Sequence, residues 1–385
     1  MTVAWPFYPQ MDVVETLEFE TDVHKCRRAE YRRSLRPLPR IFYAYSYKLD
    51  AADYAAAREL RRTIGGDDLY VPDWPNATQI PTIGVATVSL PVDVTRAPAY
   101  RVNGKALIWG SNTSYEVVAV TVLGTGTITI SATAVGYTKP WVVPLRTGTF
   151  VQELTGDRGP HEWSGASATF RCIDTENLSA ASGGPSYPTY LGDPLVIDPV
   201  EIINGAGESN KREVSENDSV TGLVYQYPIY ATPNQSAVLA WTAQSAAEVW
   251  ALRVWLHQCR GRWKQFWTAS WNADAQPTFG LTPGDTSIQI IDVGFSSKFT
   301  LPIDMAIVDP SGQAQAVKIV STSTGTGGHE YLDLSMPFSG TAVPVIDKLC
   351  KLTLSRLGSD RIDIQHLPGR QATIVAATTE VPVYP

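Results

Sequence analysis

Histidines, cysteines and paired acids are the side chains here that could do chemistry, and none falls at a spacing that chemistry needs. The five histidines, His24, His161, His257, His329 and His366, are isolated from one another. No two can share a helix face as metal ligands do. His161-Glu162 and His329-Glu330 are adjacent pairs, and neighbours on a strand point to opposite faces. Cys26, Cys172, Cys259 and Cys350 contain no CxxC pair. Scattered cysteines in a long chain read as reduced thiols, not as a disulfide framework. There is no HExxH, no GxSxG, no Walker A loop and no GxGxxG after a strand. Acids are plentiful, yet nothing selects a glycosidase-type pair. The expectation is a protein that is not an enzyme, with no cofactor and no metal.

Positive charge does cluster. Lys25, Arg27, Arg28, Arg32, Arg33, Arg36 and Arg40 fall within 16 residues. Such a stripe could hold nucleic acid, or it could make ion pairs to an acidic neighbouring subunit. The net charge of -7 and the upstream acids Glu15, Glu18, Glu20 and Asp22 favour the second reading. Arg27, Arg28, Arg32, Arg33, Arg36 and Arg40 are therefore the candidate subunit-interface residues, and no nucleic-acid specificity is expected.

The elements that position these arginines come next. Leu17, Phe19, Thr21 and Val23 alternate with Glu18, Glu20 and Asp22, which predicts a strand over Val14–Val23 with one acidic face. Pro37 and Pro39 end any helix in the basic segment. Ile41–Tyr47 alternates as a second strand. Asp50 is a fair N-cap for a helix with Tyr54, Ala57, Leu60 and Ile64 on one face. Gly65-Gly66 stops that helix, and a strand then leads to Trp74.

The same plan recurs from Trp241 to Trp271. Tyr45 falls on Trp241, Tyr54 on Trp250, Leu60 on Leu256, Tyr70 on Trp267 and Trp74 on Trp271. Ser245 and Glu248 form a capping box, and Ala247, Trp250, Ala251, Val254 and Trp255 make an apolar stripe. Tyr45, Tyr54, Trp74 and their partners are expected to be core anchors. Each copy continues into short Val/Ile/Thr runs broken by turn signals such as Asn103-Gly104, Gly110-Ser111-Asn112 and Gly124-Thr125-Gly126. Thr127–Ser131 lies against Tyr331–Ser335. Gly156-Asp157-Arg158 echoes Ser359-Asp360-Arg361, and both are read as turn ion pairs. A fixed order of echoes is the mark of an internal repeat.

The fold class expected is mainly β with short helices (α+β): two tandem copies of a strand–helix–strand unit, each followed by a small β-barrel or sandwich. The organisation is an N-terminal arm at 1–40, a first repeat at 41–173, a Ser/Gly/Pro-rich linker at 174–222 and a second repeat at 223–385. The linker holds one possible strand, at Leu195–Ile203. No apolar run approaches the roughly 18 residues of a membrane span, and the start has no signal-peptide pattern.

The run CRRAEYRRSLRPLPRIFYAYSYKLDAADYAAAREL, followed by LYVPDWPNATQ, resembles the tail-tip proteins of long-tailed bacteriophages, the distal-tail or upper-baseplate structural proteins. In them a basic segment leads into a strand, a short helix and a strand ending in P-x-W, before a small β-barrel. Arg32, Leu35, Arg36, Pro39, Arg40, Pro72 and Trp74 stand in those places. The second copy keeps Trp271 but has Ala269 where the first has Pro72, and it lacks the basic lead-in.

The resemblance implies a virion protein of the phage tail, made in the host cytoplasm, without enzymatic activity. In such phages tail tubes are six-fold and tip hubs three-fold. The implied partners are the tail tube protein, the baseplate hub, other tail-tip proteins and the chain itself, as a homotrimeric ring with pseudo-six-fold symmetry. A receptor- or glycan-binding tail module is the alternative, and a cell-wall hydrolase a third class.

Overall fold

The computed structural model describes residues 2–10, 12–25, 30–94, 99–158, 163–197, 208–211, 214–218, 220, 222, 224–228, 234–325 and 327–381. The first part of the chain forms β1 (Val3–Ala4), β2 (Val13–Lys25), β3 (Glu30–Asp50), α1 (Ala51–Ile64), β4 (Leu69–Pro72), β5 (Ser89–Leu90), β6 (Lys105–Ser111), β7 (Ser114–Leu123), β8 (Ile128–Ile130), β9 (Trp141–Phe150), β10 (Thr155–Arg158) and β11 (Trp163–Cys172). The rest forms β12 (Asp193–Val196), β13 (Asn234–Ala243), α2 (Ala246–Cys259), β14 (Gln265–Ala269), β15 (Ser287–Ile291), β16 (Ile303–Val308), β17 (Ala314–Thr324), β18 (His329–Leu334), β19 (Lys348–Leu357), β20 (Arg361–Leu367) and β21 (Gln371–Glu380). The fold is mainly β, and its sheets are largely antiparallel.

β2 and β3 make a long hairpin. Val13, Glu15, Leu17, Phe19 and Thr21 point inward from β2, and Ile41, Tyr43, Tyr45, Tyr47 and Leu49 from β3. Glu18 faces Arg40 while Glu20 faces Arg36, so β3 carries extra residues at a bulge. Pro37 and Pro39 lie in that bulge, where a missing amide hydrogen costs the ladder little.

In the first half β4 pairs with β1 in parallel and with β9 antiparallel, β9 pairs with β6, and β6, β7, β8 and β5 follow in turn. β11 joins β9, β10 and β3. In the second half β14 pairs with β12 in parallel and with β19 antiparallel, β19 pairs with β16, and β16, β17, β18 and β15 follow. β21 joins β19, β20 and β13. The halves are stitched together by β2 against β20, from Val13↔His366 to Glu18↔Arg361.

The barrel expectation needs correction: among the described residues neither small sheet closes. β5 and β15, the last strands of the two series, pair with β8 and β18 and do not return to the first strand. Each small sheet still has its own core, one around Ile108, Val118 and Ile128 and one around Ile288, Ile307 and Leu332. The largest core runs through both halves and holds Trp5, Leu17, Tyr45, Trp241, Trp255 and Ile364.

Two of the expected turns hold as read: Gly110-Ser111-Asn112 joins β6 to β7, and Gly124-Thr125-Gly126 joins β7 to β8. Asn103-Gly104 instead precedes β6. Of the six expected anchors, Tyr45, Trp74 and Trp241 are buried, while Tyr54, Trp250 and Trp271 are half-buried. Ala247 is exposed, because α2 buries its C-terminal part, from Leu252 to Cys259. The segment after β11 lies over this helix. Trp250 Nε1 donates to the Ser182 carbonyl (2.9 Å), and Tyr187 meets Trp255 edge-on at 4.9 Å. Gly184 permits the close approach: a Cβ there would sit 2.6 Å from Val254 Cγ1.

Candidate functional site

The β2–β3 hairpin carries the arginines singled out above. Arg27 and Arg28 lie outside the described residues. Arg36 is tied within the chain to Glu18 (3.0 Å) and Glu20 (2.6 Å), and Arg40 stands 3.6 Å from Glu18. Arg33 is exposed, opposite Asp22 in the strand register. Glu18 and Glu20 thus serve the hairpin itself. Arg32 behaves differently. It reaches the second half, donating to Gln265 Oε1, and its Nε lies 3.5 Å from Glu30. Glu30 in turn accepts two hydrogen bonds from Arg356, at 2.6 and 3.0 Å. The hairpin end is therefore clasped to β14 and β19.

A second charged group lies at the seam between the halves, buried at Glu15, Arg253, Glu176 and Arg146 and half-buried at Arg101 and Asp174. Glu15 Oε1 accepts from Arg253 Nε (3.1 Å) and Nη2 (2.8 Å), and Glu15 Oε2 lies 2.9 Å from His366 Nε2. Arg253 Nη2 also reaches Glu176 (3.1 Å). Glu176 binds Arg146 (3.0 Å) and Arg101 (2.7 Å), and Asp174 binds the same two arginines. Three carboxylates and three guanidiniums balance, as buried charge requires. They come from β2, α2, β9, the segment before β6 and the segment after β11, with His366 on β20.

The electrostatics follow from this balance. Burial would push the Glu15 carboxyl up; Arg253 and His366 outweigh it and hold it down at about 2. Burial of Glu176 is likewise outweighed by Arg253, Arg146 and Arg101, which hold it below the usual carboxylate range. Burial, reinforced by Arg253, pushes His257 down to about 4. Asp73, which accepts from Asn76 (2.9 Å), is raised by its burial.

His366 also lines an open cleft of about 410 Å³ at the seam. Tyr8, Trp74 and Trp141 form its aromatic walls, and Arg370, donating to the Ala77 carbonyl (2.8 Å), crosses its edge. Tyr8 packs on Trp74 at 5.0 Å and stacks on Trp109 at 5.4 Å.

The other residues weighed for chemistry have structural places. Glu330 accepts from the Phe295 and Ser296 amides and so caps a short helix, Phe295–Lys298. His24 lies 2.8 Å from Asp22. Asp360 pairs with Arg262 (2.9 Å), not with its neighbour Arg361, which lies 3.3 Å from Asp363. Cys172, Cys259 and Cys350 are buried free thiols. Cys26, His161 and Glu162 lie outside the described residues.

Sequence reading missed the seam network. Glu15 did signal itself: it stands in phase with Val13, Leu17 and Phe19, on the apolar face of β2. Arg253 likewise lies between Leu252 and Val254. No protein-family model matches the chain, and no curated protein is significantly similar to it.

Proposed function

We propose that the chain is a structural component of a bacteriophage tail tip or baseplate, linking a six-fold tail tube to a three-fold hub through a ring of three copies. The carrying observation is the order of strand pairing. β1–β4–β9–β6–β7–β8–β5 has its counterpart in β12–β14–β19–β16–β17–β18–β15, including the parallel pair at the start of each. β11 and β21 close the two series with matching partners. A helix of 14 residues, capped by a side chain, follows β3 and β13 alike. These matches support an internal duplication of the strand–helix–strand unit and the sheet behind it. Two like units side by side let three copies offer six like faces within a closed cyclic assembly.

The phage setting rests on the resemblance of the Arg32–Arg40 segment and of Pro72 and Trp74. With it come the tube protein, the hub and other tail-tip proteins as partners, a place in the virion after synthesis in the host cytoplasm, and no catalytic step or cofactor. Light scattering of the purified protein and image reconstruction of particles test it. Three chains per ring are expected; six chains overturn the trimer, and no ring overturns the structural role.

The seam cleft favours a second reading, a glycan-binding tail module. Aromatic faces beside Arg370 and His366 suit sugar rings and their hydroxyls. A glycan array decides it: retention of one saccharide class, lost in Trp141→Ala, supports this reading, and an empty array removes it.

A further inference from the structure

The strand contact that stitches the halves together is made once, although the halves offer its parts twice. The strand registers match the halves rung by rung. Tyr70 faces Thr147 and Trp267 faces Leu354, so Phe150 on β9 matches Leu357 on β19. Phe150 faces Phe170, which faces Tyr43; Leu357 faces Thr378, which faces Ala237. Tyr43 thus matches Ala237, and Tyr47, not Tyr45, stands at the place of Trp241. One strand further out, Tyr43 lies opposite Glu15 and Ala237 opposite Glu208. Along β11 and β21 the same rungs match Ala166 with Ile374, and so Gly156 on β10 with Ile364 on β20.

Within the chain, Glu15 on β2 lies opposite Ile364 on β20. By the same rungs Glu208 belongs opposite Gly156. Among the described residues, however, Glu208–Lys211 pairs with β13 alone and β10 with β11 alone. Each keeps one open edge. The helices tell the same story. Asp50 and Ser245 cap them, and Gly65 and Arg260 end them at positive φ, so Arg58 on α1 matches Arg253 on α2. Arg253 is buried against Glu15 at 2.8 Å, whereas Arg58 is exposed. Glu15 and Arg253 thus have counterparts of unchanged charge, Glu208 and Arg58.

We propose that Glu208–Lys211 of one copy adds to the open edge of β10 in the next, antiparallel, with Ser209 opposite Thr155 and Glu208 against Arg58. An unpaired strand edge is a ready partner for another strand. The two edges are different surfaces, so the contact is head-to-tail, the kind that closes into rings. Each unit of the ring then holds its neighbour through the same strand pair, by turns within a chain and between chains. The inference rests on the ring-forming role proposed above and names the contact that would make the ring.

Cysteine cross-linking tests it. Thr16 and Asp363, the matching pair inside the chain, meet through their side chains at 2.5 Å, so cysteines at 209 and 155 would fall within disulfide reach. Oxidised Ser209→Cys/Thr155→Cys protein is expected to run as linked dimers and trimers on a non-reducing gel, and each single variant as one chain. A disulfide confined to single chains, or none in protein that assembles, overturns the contact and leaves the ring reading standing. Sedimentation velocity of Arg58→Glu, with circular dichroism to check that it is folded, tests the charge pair. It is expected to associate roughly 30-fold more weakly, as apposed like charges do, and adding Glu208→Arg is expected to recover assembly. Unchanged association in Arg58→Glu also overturns the contact alone. A wild-type chain that is monomeric at every concentration overturns both contact and ring.

Discussion

α1 and α2 have the same length and the same kind of start, yet they occupy opposite environments. Asp50 caps α1 by accepting from the Asp53 amide, and Ser245 caps α2 by accepting from the Glu248 amide. α1 buries only Ala57 and Ile64, while α2 buries Leu252 through His257 and Cys259. The difference comes from the segment after β11, which lies across α2. That cover also buries Arg253, and Arg253 holds Glu15 and Glu176 in place. Local sequence sets where a helix starts and stops; what the chain later sends across it sets how much that helix matters.

The sharpest way to break this contrast is Arg253→Met. It leaves Glu15 and Glu176 buried with fewer partners, and a loss of about 3–5 kcal/mol is expected in urea unfolding. Arg62→Met on α1, where the side chain is exposed, is expected to stay within about 0.5 kcal/mol. Equal losses would show that the two helices are energetically alike.

Acid should act through the same covered region, with a smaller effect. The folded pKa of His257, about 4, lies below its ordinary 6.5. The unfolded chain therefore takes up the proton first as pH falls, and stability present above 6.5 is lost progressively down to about 4. Glu15, held at about 2 against an ordinary 4.5, adds stability that is present above 4.5 and lost as pH falls toward 2. His257→Asn is expected to flatten the upper part of this profile in thermal melts. An unchanged slope between pH 6.5 and 4 would mean that His257 is not the titrating group.

Gly184→Ala brings a methyl group to 2.6 Å from Val254 Cγ1. A cost of about 1–3 kcal/mol is expected, read as increased protease cleavage in the covering segment. Gly66→Ala, beside α1, meets nothing within 4 Å and should leave cleavage unchanged. The caps give the smallest effect and the one point of equality: Asp50→Ala and Ser245→Ala should each cost about 1 kcal/mol. A much larger loss at Ser245 would mean that burial reaches even the first turn of α2.

These contrasts also mark how far the sequence could be read. The alternation of β2, the caps at Asp50 and Ser245 and the stop at Gly65 are short-range signals, and each was legible. Tyr45 and Trp241 were recognisable as core because their periodicity was plain. Trp250 misled: its spacing fits an apolar stripe, but its ring lies at the margin of the covering segment. Glu15 was hidden among Glu18, Glu20 and Asp22, although its phase sets it apart. Glu176 lies in a stretch without periodicity, and its partners Arg146 and Arg253 are 30 and 77 residues away. No local pattern encodes such a meeting.

The stitch between β2 and β20 also sets an order of events in time. Glu15 and His366 are 351 residues apart, and β2 lies beside a strand that begins at Arg361. During synthesis the first long strand must wait, with one edge and a buried acid uncovered, until the strand that begins at Arg361 has left the ribosome. Contacts of such separation form slowly, and an uncovered strand edge invites pairing with the wrong chain. The seam that unites the halves is thus among the late contacts of the molecule to form.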